Sequence, residues 1–430
     1  MLWTPYHHQR ETMTLYAKGT NCLNGSEPGT GKTPPTIEHI KRIGGRATVV
    51  CPSYLTRNWQ REFKRFADLD ASIYPDTSKP ITLISADSIH KCAAVFQQLN
   101  VLVVDEAHMF GSIKTRRTKA LHHYVKEYKP KQVILMTGTP LKSRVPQLYS
   151  LLLLLDYGKG SFHNRYPSLF QFCMHFCEMK KIRMGSKEFT QFEGLKNAGQ
   201  LRDHLKPWWV RYRLEQLVDM PRVTYSEVEA DTHLGDLDLL MSGDLETELS
   251  AAVGAPEGWA AIDLSQIVSD HVMRAKAASA RAKVPVTVSF AQDLLEQDAG
   301  PLVIFSAHVA PVAEIAEALA KGRTVAKITG AVSPKERDRI VQDFQAGKID
   351  VLVGTISACC TGITLTKSNI VIFNDKSYDV SENVQAVGRI RRVSQTKPCL
   401  VYEVVSKGID QRISRLLREK EKLMKEVFAD

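Results

Sequence analysis

Two stretches of the chain alternate short apolar, β-branched runs with segments of helical periodicity. That alternation restricts the fold more than any other feature. The first stretch holds Ala47–Cys51, Ile81–Ser85, Val101–Val104 and Gln132–Met136. The second holds Leu302–Ser306, Thr324–Ile328, Ile349–Val353, Asn369–Asn374 and Leu400–Val405. Runs that stay apolar at successive positions suit strands buried on both faces, as in parallel sheets covered by helices. The fold class is therefore α/β, with two parallel-sheet units and a helical insertion between them. The predicted division is 1–222 with a helical protrusion from about 150, an acidic helical linker at 223–275, and a second unit at 276–430. Leu234, Leu237, Leu240, Leu245 and Leu249 give the linker its helical spacing, and a charged helix from Ile409 to about Val427 closes the chain.

Composition narrows the class. Hydrophobic residues at 43% and charged residues at 24% are those of a soluble globular enzyme. No apolar run approaches a membrane span, and Met1–Pro5 does not read as a signal peptide. Ser226–Ser265 carries ten acidic residues and no Lys or Arg; the rest of the chain holds 57 Lys and Arg against 37 acids. A basic body favours a polyanionic partner. The acidic segment reads either as an insertion facing away from that partner or as a mimic of its charge. The eight cysteines form no CxxC pair. Cys173-Met-His175-Phe-Cys177 lacks a second ligand pair at zinc-site spacing and reads as helix. Such usage suggests a reducing, cytoplasmic compartment.

Three motifs carry chemistry. Ser26-Glu-Pro-Gly29-Thr30-Gly31-Lys32-Thr33 has the glycines that let backbone N–H groups turn onto phosphate oxygens at a helix start. Its first position is Ser26 rather than Gly, so the alternative is a chance Gly-rich turn. Lys32 would meet the β- and γ-phosphates of ATP, with Gly29, Thr30 and Gly31 around it, and Thr33 would hold magnesium. Val101-Leu-Val-Val104-Asp105-Glu106-Ala107-His108 ends a buried strand in adjacent carboxylates. Asp105 suits the magnesium shell and Glu106 suits an attacking water. In Gln385-Ala-Val-Gly388-Arg389-Ile-Arg391-Arg392, a helix would place Gln385, Arg389 and Arg392 on one face. Two arginines there suit a γ-phosphate, or a nucleic-acid phosphate. The two groups fall in different units, which predicts a nucleotide in a cleft that opens and closes on hydrolysis.

The order of these motifs resembles a superfamily-two helicase motor of the Swi/Snf family, whose fold is two RecA-like lobes. The resemblance runs from about Pro5 to the end. It includes Val49–Phe63 with Trp59, the DEAH box Asp105–His108, Met136-Thr137-Gly138-Thr139-Pro140-Leu141 and Gln147–Leu152. Further along it takes in Arg211-Tyr-Arg213-Leu with Met220-Pro221, Thr361-Gly362-Ile-Thr364-Leu365-Thr366, Gln385–Gln395, and Ile409-Asp410 with Lys420. Arg165-Tyr-Pro-Ser168 followed by a Phe- and Cys-rich helix resembles the HARP-type annealing helicase branch. Cys359-Cys360, Thr364, Tyr378 and Arg391 depart from the family pattern.

The resemblance implies an ATP- and magnesium-dependent translocase on duplex DNA, a compact phage or bacterial member serving replication, recombination or repair with a separate targeting protein. Gln9 would read adenine, or else is an exposed helix residue. His108, Thr137, Gly138, Thr139 and Gly362 would couple hydrolysis to movement. Ser53, Arg57, Ser85, Lys142, Thr355 and Thr364 are candidate nucleic-acid contacts, whereas Trp59 reads as a packing aromatic. Lys114, Arg116, Arg117 and Lys119 are either a further contact or a solvated face. A strand-separating DNA or RNA helicase and a nucleotide-gated scaffold remain as alternatives.

Overall fold

The computed structural model describes residues 3–138, 145–157, 161–184, 187–217, 221–231, 274, 276–360, 362–377, 379–392 and 394–406. Thr139, Lys142, Tyr378, the leucine-spaced part of the linker and the closing helix lie outside the described residues. The chain divides near residue 220 into two compact units.

The first unit is built on strands β1 (Cys22–Asn24), β2 (Ala47–Cys51), β3 (Ser72–Ile73), β4 (Ile81–Ser85), β5 (Val101–Asp105) and β6 (Gln132–Met136). An antiparallel hairpin follows, β7 (Glu178–Met184) with β8 (Lys187–Glu193), and then β9 (Trp209–Val210). The main sheet runs in the order β3-β4-β2-β5-β6-β1-β9, parallel throughout. Alternate residues of each strand enter opposite cores. Val49, Cys51, Val101, Val103 and Ile134 pack on one face with helices α1 (His7–Ala17), α2 (Thr33–Ile43) and α3 (Thr56–Ala67). Val50, Leu102, Val104 and Leu135 pack on the other with α4 (Arg116–Tyr128), α5 (Pro146–Asp156), α6 (Ser161–Arg165), α7 (Leu169–Phe176) and α8 (Ala198–Leu205). Cys173 and Cys177 belong to this second core, beside Phe172 and Phe176.

The protrusion expected to be helical from about 150 is helical through Phe176 and again over Ala198–Leu205, with the hairpin between. Cys177 is extended, with φ −120°, and the chain then enters the hairpin.

The second unit holds β10 (Val223–Ala230), β11 (Leu302–Ser306), β12 (Val325–Ile328), β13 (Val351–Thr355), β14 (Ile370–Phe373) and β15 (Cys399–Ser406), in the parallel order β10-β15-β14-β11-β13-β12. Here the division at 223–275 is corrected. Val223–Ala230 is an edge strand paired with β15 over eight positions, from Val223 opposite Cys399 to Ala230 opposite Ser406. Its exposed Glu227 and Glu229 are charges of the kind that protect sheet edges, so acidity there does not signal a solvated helix. Among the described residues no helix is long and apolar enough to cross a membrane.

Candidate functional site

Because the first sheet is wholly parallel, the C-terminal ends of β1, β5 and β6 meet at one edge. Register places Asn24 and Asp105 on either side of Met136. The loop after β1 leads into α2, whose first helical residue is Thr33. Gly29 and Gly31 take φ +90° and +73°, a region that costs glycine little. Asn24 Oδ1 accepts the Ser26 N–H at 3.1 Å, and Thr30 Oγ1 donates to Glu27 O at 2.8 Å. Lys32 Nζ spans the loop, donating to Ser26 O at 2.6 Å and Glu27 O at 3.1 Å.

Ser26 fills the position where the strict pattern has Gly, and its hydroxyl accepts the Tyr212 N–H at 3.1 Å. Glu27 Oε2 accepts the Leu214 N–H at 3.0 Å. Both bonds tie the loop to the segment after β9. On the other flank, α1 brings Gln9 to the loop, where it is 4% exposed rather than a surface residue. Its Nε2 donates to Gly31 O at 3.0 Å and its Oε1 accepts the Tyr6 N–H at 2.9 Å. His8 Nε2 lies 2.8 Å from Thr30 O.

Asp105 closes β5. Its Oδ1 accepts the Glu106 N–H at 2.9 Å, and its Oδ2 accepts the indole N–H of Trp59 at the same distance. Burial and the neighbouring Glu106 push the Asp105 carboxyl up to about 6, against the lowering pull of Trp59 and Lys32. Glu106 itself sits in the left-handed region, φ 50° and ψ 48°, a conformation that a non-glycine residue holds at some cost. His108 Nδ1 is 3.3 Å from Glu106 Oε2 and 3.0 Å from Thr137 Oγ1. Thr137 in turn donates its N–H to Asn24 O at 3.0 Å. A Cβ on Gly138 would stand 2.8 Å from the Pro28 ring, so the segment after β6 packs directly on the phosphate loop.

The donors suit a hard cation. Asp105 offers carboxylate oxygen and Thr33 a hydroxyl, the oxygen chemistry that magnesium takes.

Of the nucleic-acid candidates of this unit, Ser53, Arg57 and Ser85 fall on the neighbouring part of the same edge. Cys51 pairs with Ser85 in register; Ser53 and Arg57 follow β2 and are exposed, while Ser85 is half-buried. Arg117 reaches Asp87 at 3.4 Å.

In the second unit the helix carrying Gln385 ends at Val387, so Gln385, Arg389 and Arg392 do not share one helix face as the spacing suggests. A turn brings the two arginines together all the same. Arg389 Nη1 and Arg392 Nη2 both donate to Ile363 O, at 3.2 and 3.0 Å. Their Nε atoms donate to Gln385 O and Gly388 O. Gly362, with φ +75°, presents that carbonyl. Burial above all, and then the adjacent Arg389, lower the Arg392 pKa. Thr355 is buried at the end of β13 and Thr364 is half-buried. Arg391 turns elsewhere, to Pro221 O at 3.4 Å.

Sequence reasoning missed His8, the Ser26–Tyr212 tie and the Trp59–Asp105 bond. Only His8 left a signal, its adjacency to Gln9; the other two join residues 186 and 46 positions apart.

Comparison with known proteins bears on the same residues. The SNF2-related domain family matches residues 8–224, just over half of the chain, and the helicase conserved C-terminal domain family matches 287–394. A Xenopus tropicalis relative, SWI/SNF-related matrix-associated actin-dependent regulator of chromatin subfamily A-like protein 1, is 26% identical over 94% of this chain and 42% of its own length. The DNA annealing helicase and endonuclease ZRANB3 of Bos taurus is 23% identical over 94% of this chain and 38% of its own. The chain thus spans less than half of these relatives. The Sulfolobus solfataricus SWI2/SNF2 ATPase core, solved in complex with dsDNA, is 21% identical with a TM-score of 0.44, covering 100% of this chain and 95% of that one. On the match over residues 8–224, which takes in the phosphate loop, the carboxylate pair and Thr137, the chain belongs to the SNF2-related family.

Proposed function

We propose that the chain is an ATP-driven motor acting on duplex DNA. The gathering of Lys32, Asp105, Glu106, His108 and Thr137 at one sheet edge carries this reading. Lys32 exchanges its two carbonyl partners for the β- and γ-phosphates. Thr33 and Asp105 hold magnesium, which when bound neutralises phosphate charge. Glu106 orients the attacking water, and its contact with His108 and Thr137 passes the presence of the γ-phosphate to the segment of Gly138 and Thr139. Gln9 meets adenine with its second amide hydrogen. Arg389 and Arg392 would exchange Ile363 O for a phosphate whose charge grows in the transition state, with Gln385 O holding Arg389. Ser53, Arg57, Ser85, Lys142, Thr355 and Thr364 track the DNA backbone, consistent with the basic balance of the chain. An annealing-type branch and a role in replication, recombination or repair complete the reading.

The test is ATP turnover with duplex DNA, single-stranded DNA and RNA in parallel, alongside triplex displacement and strand unwinding. Duplex-stimulated turnover with triplex displacement is the expected result. Equal stimulation by single strands with efficient unwinding would establish a strand-separating helicase instead, and nucleotide binding without turnover a scaffold.

A further inference from the structure

We infer that His8 is a positioning residue for the phosphate loop, acting on the triphosphate and not on the base. The inference rests on the ATP reading above. Two consecutive side chains of α1 hold two consecutive carbonyls of the loop: His8 Nε2 at 2.8 Å from Thr30 O, Gln9 Nε2 at 3.0 Å from Gly31 O. A carbonyl only accepts, so the His8 proton is on Nε2.

In a planar trans peptide the C=O and the following N–H point in opposite directions. Drawing the Thr30 and Gly31 carbonyls towards α1 therefore turns the N–H groups of Gly31 and Lys32 to the other side of the loop. Successive N–H groups aimed into one concavity form an anion nest. The left-handed φ of Gly31, +73°, lets neighbouring carbonyls converge this way, and a Cβ there would stand 2.6 Å from Gln9 Nε2.

The His8 ring is held for this single task. It is 6% exposed, lies nearly parallel to Tyr6 at 5.9 Å and meets Tyr212 at 5.4 Å. Tyr212 belongs to the segment that pins Ser26, so the ring is braced by the same structure that braces the loop. Gln9 has a second amide hydrogen for a base; His8 has one Nε2–H, and the loop takes it.

The experiment is calorimetric binding of ATP, GTP and inorganic triphosphate to the full chain carrying His8→Phe, His8→Gln or His8→Asn. Phenylalanine keeps the ring and removes the donor. Glutamine places an amide near the Nε2 position, and asparagine falls short of it. His8→Phe is expected to weaken all three ligands by a common factor of about ten, the cost of leaving a buried carbonyl without its donor. His8→Gln is expected to stay near wild type and His8→Asn to follow His8→Phe. Should the phenylalanine variant not fold, the glutamine–asparagine comparison carries the test alone. Unchanged affinities, equal behaviour of Gln and Asn, or a loss confined to ATP would each overturn the inference. Wild-type protein that binds none of the three ligands would overturn the ATP reading itself.

Discussion

Replacing Trp59 by Phe isolates one hydrogen bond at the carboxylate pair. Trp59 is 1% exposed, its ring meets Phe63 at 5.7 Å, and its N–H reaches Asp105 Oδ2 at 2.9 Å. Phe keeps most of the aromatic packing and loses the donor. A hydrogen bond to a charged group contributes about 1.5–3 kcal/mol, which is roughly one to two pH units at 1.36 kcal/mol per unit. The bond favours the ionised carboxylate, so its loss raises the Asp105 pKa further, from about 6 to roughly 7–8. Asp105 is then protonated in a large fraction of molecules near neutrality. The acid limb of the kcat/KM profile is expected to move up by about one to two pH units, and the magnesium requirement to rise about two- to tenfold at neutral pH. The assay is turnover against pH at several magnesium concentrations, with unfolding midpoints measured on the same samples. A lowered midpoint with an unmoved acid limb and magnesium requirement would show that Trp59 only fills space.

Lys32→Ala is expected to lose both nucleotide affinity and turnover, whereas Glu106→Gln keeps affinity and loses turnover; equilibrium binding beside steady-state rates separates them. Arg389→Ala and Arg392→Ala are each expected to cost about 10³–10⁵ in turnover with little change in nucleotide binding, and near-normal rates would return that arginine to a DNA-contact role. Gly138→Ala sets a Cβ 2.8 Å from the rigid Pro28 ring, so a stability loss of about 1–3 kcal/mol with weakened nucleotide binding is expected from denaturant titration and calorimetry. His122 is buried between Ser150 and Tyr157, and burial lowers its pKa from 6.5 to about 4. The unfolded chain therefore binds the proton more readily, and stability from the neutral ring is full above about 6.5 and drains as pH falls through 4. The loss amounts to about 3 kcal/mol. His122→Gln should flatten the fall between pH 7 and 4, read by urea unfolding at each pH.

The sequence showed most clearly what depends on local pattern. Every apolar, β-branched run read as a strand became one, although β12 and β13 begin one and two residues later than their runs, whereas Leu151–Leu155 is helical within α5. The phosphate loop was legible from its glycines and lysine even though β1, only three residues long, leaves no periodicity of its own. Val223–Ala230 escaped because it is an edge strand with most side chains exposed, so the alternation that marks a half-buried strand is weak. The arginines come together, but not on one helix face. Helical spacing predicts one face over Gln385 to Arg392, but the helix ends at Val387 and the convergence comes from Ile363 O, more than twenty positions upstream. Long-range partners of this kind, like the indole on Asp105, have no local signature.

The residues assigned to nucleotide chemistry are also those where the fold gives up stability. Glu106 holds a left-handed backbone without being glycine. Asp105 sits beside Glu106 in a buried place that opposes its charge. Arg389 and Arg392, two like charges, both donate to one carbonyl, Ile363 O. The two electrostatic costs are of the kind a magnesium–triphosphate would relieve: a cation would oppose the carboxylate pair, and a phosphate would replace a carbonyl with an anion. A ligand that binds only the folded state stabilises it by RT ln(1 + L/Kd), where L is its free concentration. The two halves of the ligand act on different groups, so their contributions separate. Magnesium without nucleotide should act chiefly through Asp105, and a variant with Asp105→Asn should lose that response while keeping the response to triphosphate. Such a separation is what strain stored for chemistry predicts, and a site merely tolerating misplaced charges would not show it.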